Sequence, residues 1–183
     1  MEISGAHLKA MRDPARVFPV VAHPEAVRSA MVWHCRYKSL DSLAQLLNLE
    51  ELVIGTFPDE SFESLGRLEM LRYLRVVHMP GISDLGPLAR LTRLTSLSLS
   101  TLPGWDASGK TTTIRSLEPL TAIPGLAHVE LFGICPPDKL LGPLEACKGL
   151  QTARVSQYPQ AEIDRFFRQT GVANQFNPDP SIS

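Results

Sequence analysis

Residues 82–100, ISDLGPLARLTRLTSLSLS, decide the fold. The leucines fall at Leu85, Leu88, Leu91, Leu94, Leu97 and Leu99, in four steps of three followed by one step of two. A three-residue step suits a tight helical or turn-like arm, whereas a two-residue step puts alternate side chains of an extended strand on one face. One short segment therefore carries an arm and a strand with a shared apolar side. Such a unit is too small to bury its own leucines and needs copies of itself stacked on both sides.

The copies are present. Leu40, Leu43, Leu46, Leu49, Leu52 and Ile54 repeat the steps, as do Phe62, Leu65, Leu68, Leu71, Leu74 and Val76. Downstream come Leu117, Leu120, Ile123, Leu126, Val129 and Leu131, then Leu141, Leu144, Cys147, Leu150, Ala153 and Val155, with Cys147 acting as a small hydrophobe. A worn copy upstream keeps the spacing through Phe18, Val21, Pro24, Val27, Ala30 and Val32. A second column stands in register with the first, an apolar residue and a proline after each strand: Phe57-Pro58, Met79-Pro80, Leu102-Pro103, Cys135-Pro136 and Tyr158-Pro159. Proline cannot donate to a ladder and fixes its own φ, so it ends each strand at one place.

These units resemble leucine-rich repeats, most closely the short, internalin-like class, over about Phe18 to Pro159. The resemblance implies an α/β solenoid with a parallel concave sheet, short helical convex arms and a C-terminal capping helix. One departure is plain. Where the family usually places Asn or Cys after the strand, this chain has Cys35, Phe57, Met79, Leu102, Ile134 and Tyr158, an apolar spine in place of the polar ladder.

The expected organisation is an N-terminal arm or cap (1–17), a solenoid of about six repeats (18–158), a capping helix (159–173) and a flexible tail (174–183). Ile163, Phe166 and Phe167 share one face of that helix and Gly171 stops it. The tail, NQFNPDPSIS, is polar and broken by prolines. Ser39 or Asp41, Asp59 or Ser61, Ser83 or Asp84, Ser116 and Asp138 stand where capping residues should begin each arm.

A net charge of −1 without a basic cluster argues against nucleic acid or an anionic membrane as partner. Three cysteines without C-x-x-C spacing argue against a disulfide framework and a zinc site, and with no signal-like leader the expectation is a cytoplasmic protein; a bacterial setting is a narrower form of the interaction reading below and is not read from these residues. The five histidines are scattered, and no nucleophile motif is present, so neither a metal, a cofactor nor an enzyme is expected.

The sharpest catalytic-looking signal is Gly104, Gly109, Lys110 and Thr111, which satisfy the G-x-x-x-x-G-K-[ST] phosphate-loop pattern. A strand precedes it, but the β-branched run Thr111–Ile114 follows where a long helix should start. Nucleotide binding is therefore the minor alternative.

The repeat register also states which residues face outward from the strands on the concave side: Met31, Trp33, Glu51, Val53, Tyr73, Arg75, Val77, Ser96, Ser98, Ser100, His128, Glu130, Phe132, Thr152, Arg154 and Ser156. Aromatics with arginine dominate binding hot spots, so Trp33, Glu51, Tyr73, Arg75, Val77, Ser98, His128, Glu130, Phe132 and Arg154 form the expected partner-binding set. The serines of the middle strand should leave a dip, and the long loop 101–116 with Trp105 should overhang it. The reading is a non-catalytic protein-interaction module, monomeric or weakly self-associating. The alternatives are a nucleotide-binding switch or enzyme using the loop at 104–111 and a self-associating structural repeat.

Overall fold

Each set of leucine steps becomes one coil. The computed structural model describes residues 1–182, with strands β1 (Glu2–Ser4), β2 (His7–Met11), β3 (Ser29–Trp33), β4 (Glu51–Ile54), β5 (Tyr73–Val77), β6 (Ser96–Ser100), β7 (Thr112–Thr113), β8 (His128–Phe132), β9 (Ile134–Cys135), β10 (Thr152–Val155) and β11 (Ala173–Asn174). Nine of them form one sheet in the order β1-β2-β3-β4-β5-β6-β8-β10-β11. Every pairing is parallel except β1 with β2, an antiparallel hairpin at the N-terminal end. The register runs Val32, Ile54, Val76, Leu99, Leu131 and Val155 side by side, as the repeat spacing requires.

The return arms are short because their leucine step is three, the residue count of one 3-10 turn. They comprise 3-10 turns at Pro24–Ala26, Asp41–Gln45, Leu65–Arg67, Gly86–Arg90 and Glu118–Ala122, and the short helix α2 (Gly142–Glu145); α1 (Pro103–Ala107) follows β6 in the long loop, and α3 (Gln160–Thr170) follows β10. The Ser/Asp residues before the arms act as turns two residues long rather than as helix caps. Side-chain oxygens of Ser39, Ser61, Asp84, Ser116 and Asp138 accept the N–H groups of Asp41, Glu63, Gly86, Glu118 and Leu140.

Leucines from neighbouring coils stack into one continuous core running from Leu8 to Phe166. Fully burying such a side chain is worth about 1.5–3 kcal/mol, so the stack of coils supplies the stability that no single coil has. The worn first repeat is a true coil: Phe18, Val21, Val27, Ala30 and Val32 are all buried in it. Phe57, Met79, Ile134 and Tyr158 fill the apolar spine. The Tyr158 hydroxyl donates to the Ile134 carbonyl at 3.0 Å and the Cys35 thiol to the Ala10 carbonyl at 3.3 Å, taking over part of the polar ladder's work. Leu102 does not join the spine. The loop that follows it returns as β7, which sets Thr112 beside Ile134, and Leu102 is left half-buried at the concave rim.

Phe166 of α3 closes the last coil, with Ile163 and Phe167 packed beside it. Glu162, at the start of α3, accepts the Leu141 N–H at 2.7 Å and two bonds from Arg165, tying the helix to the last arm. Residues 175–182 do not leave the fold as a loose tail. They run back over the sheet, where Ile182 is buried against Met31, Val53 and Tyr73. Ser183 lies outside the described residues. Among the described residues, no helix is long and apolar enough to cross a membrane.

Candidate functional site

The sheet's register gathers the outward residues into rows. Met31, Val53, Arg75, Ser98, Glu130 and Arg154 form the central row, and Glu51, Tyr73, Ser96, His128 and Thr152 the row beside it. Val77, Ser100 and Phe132 begin a third. The geometry brings the expected set onto one face, but that face is not uniformly open. Met31, Val53, Tyr73, Val77, Ser98 and Glu130 are buried, while Trp33, Glu51, Arg75, His128 and Phe132 are half-buried and Arg154 is exposed.

Two causes account for the burial. Over β3–β5 the chain's own segment 176–182 covers the sheet: Phe176 and Trp33 pack on the cluster that buries Ile182, and Ser181 reaches Glu51. Over β6–β10 the side chains satisfy one another. The Ser98 hydroxyl donates to Glu130 Oε2 at 2.6 Å, Arg154 donates to Glu130 Oε1 at 3.3 Å, and the Arg154 guanidinium lies 4.9 Å from the centre of the Phe132 ring. A carboxylate this far from water requires such donors. His128 Nδ1 and the Thr152 hydroxyl are 2.9 Å apart in the adjoining row.

Toward the strand ends the face opens into a hollow of about 400 Å³ walled by Trp33, His34, Arg75, Val77, Ser100, Glu130, Phe132 and Arg154, with Thr101, Leu102 and Pro103 at its rim. The dip expected over the whole serine strand is not what forms: Ser96 and Ser98 are buried, and of the three serines Ser100 alone lines this hollow, which lies toward the strand ends. The loop beyond Leu102 is tied across the same end of the sheet. Trp105 packs edge-on to the His78 ring at 5.1 Å, and Asp106 accepts from the Ser156 hydroxyl at 2.5 Å and from Gln157 Nε2 at 3.2 Å. The chain turns there through left-handed conformations at His34, His78, Gly133 and Gln157, all at the same place in their coils. Only Gly133 adopts such a turn without a steric cost from Cβ.

The phosphate-loop pattern has no phosphate-loop geometry. Gly104 lies inside α1, a helix of five residues that precedes Lys110 instead of following it, and Thr111 leads into β7. The Lys110 ammonium lies 6.0 Å from the centre of the Trp105 ring, and Gly109 is a left-handed turn residue. His34 and His78 take matching turn positions two coils apart, and no group of three His, Cys, Asp or Glu residues fit to hold a metal occurs among the described residues. Burial pushes the Cys135 and Cys147 thiols up from their ordinary pKa, which keeps them neutral members of the core.

No family model matches the sequence, and no curated protein sequence matches it. Solved structures do resemble it. One is an internalin, InlF, from Listeria monocytogenes str. 4b F2365, at 18% identity and a TM-score of 0.57, covering 82% of this chain and 49% of that one. Others are internalin C2 of the same strain, at 20% identity, TM-score 0.48, 72% and 62% coverage, and the leucine-rich repeat domain of the type III effector XopL, at 16%, 0.45, 86% and 74%. The chain spans about half the length of the first of these structures. At such identity the likeness to InlF concerns the fold alone, and it agrees with the coils described above.

Proposed function

We propose that this leucine-rich-repeat solenoid, internalin-like in fold, is a non-catalytic protein-interaction module that holds a protein partner on its concave face. The observation that carries this reading is the open hollow, where Trp33, Arg75, Phe132 and Arg154 remain within reach of solvent on a face whose other outward residues are largely buried. Apolar rings and guanidinium groups held in fixed positions lose little freedom on binding and offer broad contact area, the pattern of an interface hot spot. Arg154 is pre-positioned by Glu130 on one side and the Phe132 ring on the other.

The cytoplasmic, bacterial setting remains part of the proposal, as does a partner that is neither nucleic acid nor membrane. The test is recovery of a partner by pull-down and mass spectrometry, followed by titration calorimetry with the purified pair. Phe132→Ala with Arg154→Ala should weaken binding by roughly a hundredfold if both act as hot spots. Unchanged affinity in a folded double variant would contradict the concave site.

Self-association has one observation in its favour. β1 pairs only with β2, so its outer edge is open in the described sheet, and Ile3 on it is exposed. Concentration-dependent mass in sedimentation, abolished by Ile3→Lys, would identify that route.

A further inference from the structure

We propose that the concave groove over β3–β5 is a binding site for an extended, proline-containing segment of a partner protein, and that residues 176–182 are its resident intramolecular occupant, which such a partner displaces. This rests on the interaction reading above and names the chemistry of the partner's segment: extended, interrupted by prolines, and ending in an aliphatic anchor.

The first support is the path. β11, beside β10, is the far edge of the sheet, and Glu51 lies five strands away on β4. At about 4.8 Å per strand that crossing is about 24 Å. The residues separating Asn174 from Ser181 can reach roughly 25 Å when fully extended, so the segment is long enough to make the crossing. A chain that crosses strands at right angles cannot pair with them, and each of its N–H groups needs another partner or none at all. Pro178 and Pro180 meet that condition, because they lack the donor and favour an extended backbone. The prolines suit the segment to this crossing.

The second support is the set of contacts. Ile182, 6% exposed, is the anchor between Met31, Val53 and Tyr73. Ser181 donates its N–H and its hydroxyl to the same Glu51 oxygen, each at 2.7 Å. Asp179 and Pro180 line a hollow of about 550 Å³ that also includes Arg75 and Trp33, so it adjoins the open hollow of the interaction face.

The third is a donor that the resident segment leaves unused. The Tyr73 hydroxyl and the Arg75 guanidinium stand against each other at the groove floor, and Arg75 Nε is buried with no aligned acceptor. Buried donors are nearly always paired in a finished site, so a partner segment that brings an acceptor there gains a bond the resident segment does not make.

The test uses the full chain and a fluorescently labelled synthetic peptide of residues 174–182. Ile182→Asp with Phe176→Ala should release the resident segment, and the peptide should then bind at least roughly tenfold more tightly than to the native chain, where the tethered copy competes. Adding Val53→Arg to the groove floor should abolish that binding. Amide exchange in the native chain supplies a second reading: the Ser181 N–H should be protected, and Glu51→Ala should remove the protection. Equal peptide affinity for native and released chains, or no peptide binding together with an unprotected Ser181 amide, overturns the proposal. Neither arm involves a partner, so a failure here is distinguishable from a failure of the interaction reading.

Discussion

Ser98 and Glu130, on neighbouring strands, share a hydrogen bond of 2.6 Å at the floor of the concave face, with both side chains buried. The contact links two coils through side chains that alternation alone would turn to solvent. The carboxylate is kept there by the serine hydroxyl on one oxygen and Arg154 on the other.

Removing that carboxylate should therefore loosen the site as well as the sheet. Glu130→Ala is expected to cost about 1.5–3 kcal/mol, the range for losing hydrogen bonds to a charged group. Urea denaturation measures the loss. Glu130→Gln, which keeps an acceptor for Ser98, should cost less.

Core and convex leucines should separate sharply. Leu97 is fully buried in the middle coil, and Leu97→Ala should cost about 2–5 kcal/mol. Leu47 is 59% exposed, and Leu47→Ala should stay within about 0.5 kcal/mol. Thermal melts of the two variants decide it.

Two glycines make opposite predictions. Gly133 has φ +68°, and a Cβ there would lie 2.4 Å from Thr101 Oγ1, so Gly133→Ala should destabilise by about 2–4 kcal/mol. Gly104 has open space around its Cβ position and lies in α1, so Gly104→Ala should be neutral or slightly stabilising. Lys110→Ala should leave melting unchanged with or without Mg-ATP. A nucleotide-dependent shift lost in that variant would revive the phosphate-loop reading.

Acid should loosen the C-terminal cap. The Arg165 donors, and then the Leu141 N–H, hold the Glu162 carboxyl below its ordinary value of 4.5, against the opposing effect of burial. A depressed carboxyl contributes stability that is fully present above 4.5 and is lost as pH falls through the folded-state value. Glu162→Gln should lower stability at neutral pH and flatten the acid limb of the stability curve.

His78 has its own pH window. Burial lowers its pKa from 6.5, so the unfolded chain takes up the proton more readily than the folded one. Its contribution is complete above 6.5 and is lost as pH falls through the lower folded value. Trp105 packs on that ring, so its emission should change in the same window, and His78→Asn should abolish the response.

The leucine columns made the coils, the strand register and the convex arms legible, because period and burial are tied by stacking. Other features were hidden for specific reasons. Leu8 and Ala10 repeat the two-residue step and are fully buried in β2, but without a leucine arm before them the signal was too short to recognise as a coil. Leu102 kept its place in the proline column while the long loop carried the following chain back beside β9, which spacing cannot show. The prolines of 176–182 looked like markers of a loose tail. With Phe176 and Ile182 flanking them, they belong to a crossing segment whose partners are about 130 residues away in the chain. Alternation placed Ser98 and Glu130 on the right face but could not reveal that they close on each other.

The most direct measurement puts a photo-crosslinking amino acid at position 132 on the concave face and, separately, at position 47 on the exposed convex side, in cells that make the protein. A protein-specific adduct from position 132 and none from position 47 is the expected result. Adducts of equal yield from both positions, or from 47 alone, would contradict the concave face as the docking surface.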